Sequence, residues 1–414
     1  MIALKVINML IYETAYSIVK KLQDHGFIAY FTGGWVRDFL MNHPSDDIDI
    51  ATNATVENIQ KIFPKTIPVG VQFGIIIVVE NQHQFEVATF RKDHGYEDGR
   101  RPIGFEHSSP EEDAKRRDFT INGMFYDPLT KTLFDFVNGQ QDLEKKIIRA
   151  IGNPHQRFLE DRLRMIRAIR YACRLHFTID PSTQEAICLH ANALFPSVAI
   201  ERVWQEFYKM KQFGSFKKFI LKLHETKLLQ TIFEELETLS YESLTHLLHP
   251  LDHFPSDAPI LGKILELFPN YNLSQKLALC EKFKLSNQDK AFVSYYHQIK
   301  ENFKNPLDLY SWAHLYAHDH FFLCLKMAIA SYPEIERSDF LKIHHERHTL
   351  LQSAIEHIRN HNPLLQAKHL LAAGIKPGAL MGKLLKEGEK IGINEHLNSA
   401  ETILLKLKQH PLWP

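Results

Sequence analysis

Two adjacent glycines followed at short range by two alternate aspartates constrain this chain more than any other feature. The stretch Gly33-Gly34-Trp35-Val36-Arg37-Asp38-Phe39-Leu40 is succeeded by Asp47-Ile48-Asp49-Ile50-Ala51-Thr52. Residues 27–32 are β-branched and aromatic enough for a strand, and the glycines let the backbone turn sharply and approach a ligand closely. A short helix is expected from Trp35, and its free N–H groups and positive dipole end suit an anion lying over Gly33 and Gly34. A second strand from Ile48 to Ala51 would place Asp47 and Asp49 on one face. Two carboxylates side by side repel. A magnesium ion, which takes hard oxygen ligands and leaves positions open for phosphate, relieves that conflict. Either half of the pattern alone is commonplace, a turn or a solvated strand end. Strand, Gly-Gly, helix and Asp-x-Asp in series is far more restrictive.

The surrounding pattern predicts an α+β head followed by an all-helical remainder. Residues 9–24 carry helical spacing and stop at His25-Gly26. A helix from Ala54 to Phe63 is expected to open at Thr52 or Asn53, with Pro64 and Pro68 closing it. Ile75 to Val79 and Gln84 to Phe90 read as a hairpin about Asn81-Gln82-His83. If its second strand lies beside the one bearing Asp47 and Asp49, Glu86 is a third carboxylate, placed to assist the metals or to polarise an attacking hydroxyl. The alternative for Glu86 is an ordinary exposed strand charge. Residues 91–113 are polar and glycine-rich and predict a mobile loop. Beyond residue 140 the periodicity is helical almost throughout, and Pro250, Pro255, Pro259 and Pro269 predict a linker. The expected division is 1–140, a catalytic head; 141–250, a helical neck; and 251–414, a helical body and tail.

Two charged strings follow the loop. In Arg116-Arg117-Asp118-Phe119-Thr120-Ile121-Asn122 the arginines offer forked donors for triphosphate oxygens, while Asp118 and Asn122 suit ribose hydroxyls. Surface ion pairs at a helix start are the alternative. Glu160-Asp161-Arg162-Leu163-Arg164 is expected to start a helix in which Asp161 and Arg164, three apart, share a face. An acceptor-only aspartate and a donor-only arginine can together imitate the edge of a complementary base, or simply pair with each other. Arg167, Arg170 and Arg174 continue as a basic ridge able to hold phosphates, or as a solvated helix face.

Composition narrows the setting. With 49 basic and 49 acidic residues the chain is neutral, so any grip on nucleic acid comes from local patches. Its four cysteines lack paired spacing, which argues against a zinc site or a disulfide framework and fits a reducing cytoplasm. No apolar run approaches the roughly 18 residues of a membrane span. The run from Val6 to Tyr12 is too brief and too polar for a secretory signal.

The strand, Gly-Gly, helix and Asp-x-Asp strand resemble the catalytic core of the nucleotidyltransferase superfamily that includes DNA polymerase beta. The longer string Gly33-Gly34-x-Val36-Arg37-Asp38 with Asp47-x-Asp49-x-Ala51-Thr52 resembles, more narrowly, the class II tRNA nucleotidyltransferases (CCA-adding enzymes) and their bacterial poly(A) polymerase relatives. The resemblance is dense over residues 27–210, thin over 211–360 and partial again near 365–390. It implies a polymerase without a nucleic-acid template that restores the 3′-terminal CCA of tRNA from CTP and ATP, using Mg2+. In that picture Asp47 and Asp49 hold the metals, with Glu86 as a further catalytic carboxylate. Gly33, Gly34, Arg37 and Arg117 steady the triphosphate, Asp118 and Asn122 the ribose, and Asp161 with Arg164 the base, flanked by Arg167 and Arg170. The pattern Tyr96-x-Asp98-x-Arg100-Arg101-Pro102 resembles a flexible loop that helps the family switch from cytidine to adenosine addition. Asp135, Gly139, Asp142, Leu143 and Arg149 resemble a hinge motif, and Ala199 to Phe207 a helix-positioning one; both read as structural. Gly374-Ile375-Lys376-Pro377-Gly378 resembles the tail that contacts the tRNA elbow. Phe73-Gly74-Ile75 after Val69-Gly70, followed by Val78, looks like the CCA-adding pattern. The rivals are a poly(A) polymerase, an enzyme that adds only the terminal A and, from a different class, an inactive RNA-binding descendant. Oligomeric state is not legible in the sequence.

Overall fold

Burial alternates along the strands Ile75–Glu80 and His83–Thr89, and the sheet they join has a helical core on one face and the candidate site on the other. The computed structural model describes residues 2–43, 45–96, 102–211, 213–303 and 306–414. Helix α1 (Ile2–Asp24) leads to β1 (Ala29–Thr32), α2 (Gly34–Leu40), β2 (Asp49–Thr52), α3 (Val56–Ile62), β3 (Thr66–Ile67), β4 (Ile75–Glu80) and β5 (His83–Thr89). A separate ribbon of β6 (Arg91–Tyr96) and β7 (Pro102–His107) precedes α4 (Pro110–Lys115), β8 (Phe125–Asp127) and β9 (Thr132–Phe134). The seven-stranded sheet has the order β3-β4-β5-β2-β1-β8-β9. Within it β2 and β5 run parallel and the other neighbours antiparallel.

Phe31, Ile48, Ile50, Ile76, Val78 and Val87 share one buried cluster with Ile18, Val19 and Leu22 of α1, Trp35 and Val36 of α2, and Ile59 of α3. Each such side chain removed from water contributes about 1.5–3 kcal/mol. The strand period of two then turns Asp47 and Asp49 to the opposite face, whose apolar patch is small: Ala51, Phe90, Ala114 and Phe125.

Three local expectations are corrected. Helix α3 is capped by Thr55, whose hydroxyl accepts from the Asn58 N–H. Thr52 and Asn53 instead bind the backbone of Ile28, at 2.6 and 2.7 Å, and tie β2 to the start of β1. The turn between β4 and β5 is only Asn81-Gln82, both with positive φ, so His83 is already strand. Residues 91–113 are not one long loop, because β6 and β7 pair from Arg91↔His107 to Tyr96↔Pro102 and Ser109 caps α4. Polarity misled there, since a ribbon whose side chains stay partly in water needs no apolar stripe. Residues 97–101, which hold most of the loop pattern, lie outside the described residues.

The chain goes on through α5 (Gly139–Glu144), β10 (Ile147–Ile148), α6 (Pro154–Glu160), α7 (Leu163–Leu175), β11 (Thr178–Ile179), α8 (Pro181–His190), α9 (Ile200–Tyr208) and α10 (Phe216–Glu225). Residues 1–241 form one compact unit and 242–414 a second. The expected linker at Pro250–Pro269 instead lies within the second unit, with Asp252, His253, Ser256 and Asp257 exposed and residues 260–268 buried. Its helix Ile260–Leu265 is buried at every residue, and a Cβ on Gly262 would meet Met327 Cε at 2.3 Å. Pro250 lies at the start of a 3-10 turn and Pro259 caps the buried helix. No helix among the described residues is long and apolar enough to cross a membrane.

In the second unit His344, 2 % exposed, sits among Trp312, Tyr316 and Phe340 and bonds the Tyr316 hydroxyl through Nδ1 at 2.9 Å. Burial, with Arg347 beside it, pushes the imidazole from 6.5 down to about 4. The unfolded chain therefore takes up this proton first: stability is full above pH 6.5 and falls as pH drops toward 4, by about 2–3 kcal/mol from this group. His344→Gln, which keeps an acceptor for Tyr316, is expected to flatten the acid limb of thermal melts taken from pH 7.5 to 4.5. Parallel curves for the two proteins would refute the assignment.

Candidate active site

Gly33 ends β1 at φ +71° and ψ −139°, a conformation that side chains disfavour. A Cβ there would stand 3.3 Å from Asp49 Oδ2 and 3.6 Å from Arg117 Nη1, so the glycine lets backbone, carboxylate and guanidinium meet. Asp49 opens β2, and Asp47 stands exposed two residues earlier. Since Ile50 pairs with Val87 in the parallel β2–β5 register, one step back sets Glu86 beside Asp49. Burial, then Glu86 and Asp47, push the Asp49 carboxyl up to about 7, and Arg117 offsets this only in part. Partial desolvation and Asp47 also raise Glu86, against the pull of Arg91 and Arg117. Carboxylates forced together in this way attract a cation, and their hard oxygen donors suit a divalent ion. Among the described residues no three His, Cys, Asp or Glu side chains surround a point that a metal could fill. The fit is to an ion held by a pair of carboxylates, with its other positions open to phosphate oxygens and water.

Arg117 reaches this point from the segment after α4. Asp113 holds its Nε and Nη2 at 3.1 and 3.0 Å, and the Phe125 ring lies 4.9 Å beneath the guanidinium, which leaves Nη1 toward Gly33 and Asp49. Gly34 begins α2, and a Cβ on it would lie 3.4 Å from Arg37 Nη2.

Arg37 does not face the cleft as a phosphate ligand would, and that expectation is corrected. It is 1 % exposed and gives Nε and Nη2 to Asp38 Oδ1, at 2.8 and 2.7 Å, and Nη1 to Asn122 Oδ1 at 2.6 Å. Asn122 in turn donates to Asp118 Oδ1 at 3.1 Å, and Arg167 Nε donates to Asp118 Oδ2 at 2.9 Å. Burial alone would raise the Asp118 carboxyl, but Arg167 and Asn122 hold it down at about 2. The basic ridge is corrected for the same reason: each arginine is already matched by an acid. Arg167 serves Asp118, buried Arg170 serves Glu206, and Arg174 serves Asp38.

Asp161 and Arg164 also differ from expectation. Asp161 is not helical; it ends α6 with an extended backbone (φ −147°, ψ 103°), and its Oδ1 accepts the Leu163 N–H at 3.1 Å. Its ion-pair partner is Arg202 of α9, at 2.9 and 3.3 Å, not Arg164. Arg164 binds Glu160 Oε2 at 2.8 Å and the Arg116 carbonyl at 3.1 Å, which ties the turn at Asp161 to the segment that carries Arg117. Sequence reasoning missed Arg202, Asp38, Glu206 and Asp113. Arg202 lies in the string read as purely structural, and nothing local links it to a residue 41 positions earlier. Asp113 offered the better signal, an acid one helical turn before Arg117.

A mixed sheet that gathers Gly-Gly, alternate aspartates and a forked arginine on one face is the head of a nucleotidyltransferase. Residues 29–149 match the family model described as the poly A polymerase head domain, and residues 176–239 that of the probable RNA and SrmB-binding site of polymerase A. The chain is 32% identical over 407 residues to a CCA-adding enzyme of Streptococcus mutans, covering 95% of this chain and 96% of that one. A CCA-adding enzyme of Pediococcus pentosaceus is 45% identical over 201 residues, 48% of this chain and 50% of its own. The solved Bacillus stearothermophilus CCA-adding enzyme in complex with CTP aligns with a TM-score of 0.78 at 25% identity, covering 96% of this chain and 97% of that one. The chain belongs to the class II CCA-adding enzyme and poly(A) polymerase family.

Removing the Arg37 guanidinium would leave Asp38 and Asn122 buried without it, a loss of about 3–5 kcal/mol. Arg37→Met is therefore expected to lower the melting temperature sharply while KM for CTP, measured where the variant is folded, stays within about twofold. A large rise in KM with no loss of stability would return Arg37 to the phosphate grip.

Proposed function

We propose that this chain adds C, C and A to the 3′ end of tRNA from CTP and ATP, releasing pyrophosphate, and that it works in the cytoplasm. The observation that carries this reading is likeness to a CCA-adding enzyme over 95% of the chain, well beyond the catalytic head. Residues 1–140 would act as the catalytic head, 141–250 as the base-reading neck, and 251–414 as a body and tail for tRNA.

Asp47 and Asp49 would hold Mg2+, which when bound supplies charge neutralisation at the phosphates and lowers the pKa of the attacking 3′-hydroxyl. The protein's own groups do the positioning. Gly33 lets the backbone close on the phosphates, and Arg117 Nη1 fixes a phosphate oxygen. Glu86, whose carboxyl is raised by partial burial and by Asp47, is placed to accept a proton from the hydroxyl. Asp118 and Asn122 set the ribose side of the cleft through their bonds to Arg167 and Arg37. Cytosine and adenine each carry an amino donor beside a ring-nitrogen acceptor, whereas uracil and guanine present the reverse. Asp161 can accept from that amino group while Arg164 donates to the ring nitrogen; their contacts with Arg202 and Glu160 hold both without using all of their bonding capacity.

The test is a gel assay of tRNA transcripts ending before CCA, after C and after CC, each with CTP, ATP or both, in magnesium. Three additions with a clean stop are expected. A single A on the CC substrate alone would mark an A-adding enzyme, a long A ladder on unrelated RNA a poly(A) polymerase, and no incorporation an RNA-binding protein. Asp49→Ala should reduce addition by at least about a thousandfold with the fold retained. Retained turnover would remove the metal assignment.

A further inference from the structure

One buried carboxylate outside the expected set touches both the triphosphate arginine and the ribbon that follows the sheet. Asp113 of α4 is 1 % exposed and accepts N–H donors on both oxygens. On Oδ2 it takes Arg117 Nε and Nη2, at 3.1 and 3.0 Å. On Oδ1 it takes Arg116 Nε at 2.8 Å and the backbone N–H of Arg91, the first residue of β6, at 3.2 Å. An exposed helical pair at this spacing would be worth only tenths of a kcal/mol. Here burial and a backbone donor 22 residues away make it more than a helical pair.

The ribbon is fastened at the same root by other contacts. The Arg91 guanidinium donates to the Phe73 carbonyl and to Asp93 Oδ1. The Phe105 ring of β7 packs over Gly74, where a Cβ would lie 3.3 Å from it. Burial alone would raise the Asp113 carboxyl, yet Arg117 and Arg116 beside it hold it below the ordinary carboxylate range, so it stays charged.

We propose that Asp113 is a positioning residue for nucleotide addition, one carboxylate that aims Arg117 at the triphosphate and ties the root of the β6–β7 ribbon to it. Movement of the ribbon root and movement of the phosphate grip are then coupled. An amide cannot replace the carboxylate, because the NH2 side of the amide in Asp113→Asn would face a guanidinium that has only donors. The proposal rests on the assignment of Arg117 to the triphosphate, and its test separates the two.

Steady-state addition is measured with CTP on tRNA lacking CCA and with ATP on tRNA ending in CC, for wild type, Asp113→Asn, Arg117→Ala and the double variant. Hydrogen exchange of the ribbon amides is followed on the same full-length proteins. Asp113→Asn is expected to raise KM for both nucleotides by about tenfold or more, with a smaller change in kcat. The double variant should be no worse than Arg117→Ala, and ribbon amides should exchange faster in Asp113→Asn but not in Arg117→Ala. A raised KM in Arg117→Ala with wild-type KM and exchange in Asp113→Asn overturns the proposal. Wild-type KM in Arg117→Ala removes the assignment of Arg117, and the proposal with it. If Asp113→Asn does not fold, Asp113→Glu keeps the charge and displaces the carboxylate by one methylene. A raised KM at the wild-type melting temperature then supports the proposal, and an unchanged KM overturns it.

Discussion

The buried chain of ionic hydrogen bonds from Asp38 through Arg37, Asn122 and Asp118 to Arg167 is the interaction on which the first unit depends. It runs from the helix after the glycines, through the segment after Arg117, into α7 of the neck. Each member is a poor tenant of the interior alone, since an unpaired buried charge is costly, but each offers what its neighbour needs. Arginine has only donors, ionised aspartate only acceptors, and asparagine both, so Asn122 can stand between Arg37 and Asp118. Tyr171 adds a further contact, the Arg37 guanidinium lying 5.2 Å from its ring centre. The sheet and the helices that follow it thereby share one polar core within the compact unit of residues 1–241.

That core leaves the cleft free for another kind of electrostatics. Behind it, charges are matched; in front of it, Asp47, Asp49 and Glu86 are of one sign, and burial together with their mutual repulsion raises the Asp49 and Glu86 carboxyls. Gly33 stands between the two regimes, close to both Asp49 and Arg117, at a positive φ that strains any residue with a Cβ. A divalent ion and a triphosphate carry the complementary charges, so the site is completed by its substrates. At the end of α6 the same matching recurs, with Arg202 holding Asp161 and Glu160 holding Arg164.

Much of this was legible in the residues. Alternation placed Ile48 and Ile50 in the core and Asp47 and Asp49 on the other face, and the hairpin that brings Glu86 forward carries clear β-branched runs. Errors fell where local pattern has no bearing. Arg37 read as a triphosphate ligand and Arg170 as part of a ridge for phosphates, whereas each is consumed inside the protein by a partner, Asn122 and Glu206, that lies 85 and 36 residues away. The ribbon 91–107 read as a loop because cross-strand pairing of polar residues leaves no periodic signature. Proline density at 250–269 suggested a linker, while in the second unit those prolines flank the buried helix Ile260–Leu265.

The sequence by itself determined the family, the α+β head followed by helices, and the chemistry on offer at the cleft, since glycine, alternate aspartates and forked arginines each have few physical uses in that order. Only the tertiary structure decided which charges face the cleft and which are consumed inside the protein. A charged side chain's role depends on whether an opposite charge stands within about 3–4 Å of it, and that distance is set by packing between segments far apart in the chain.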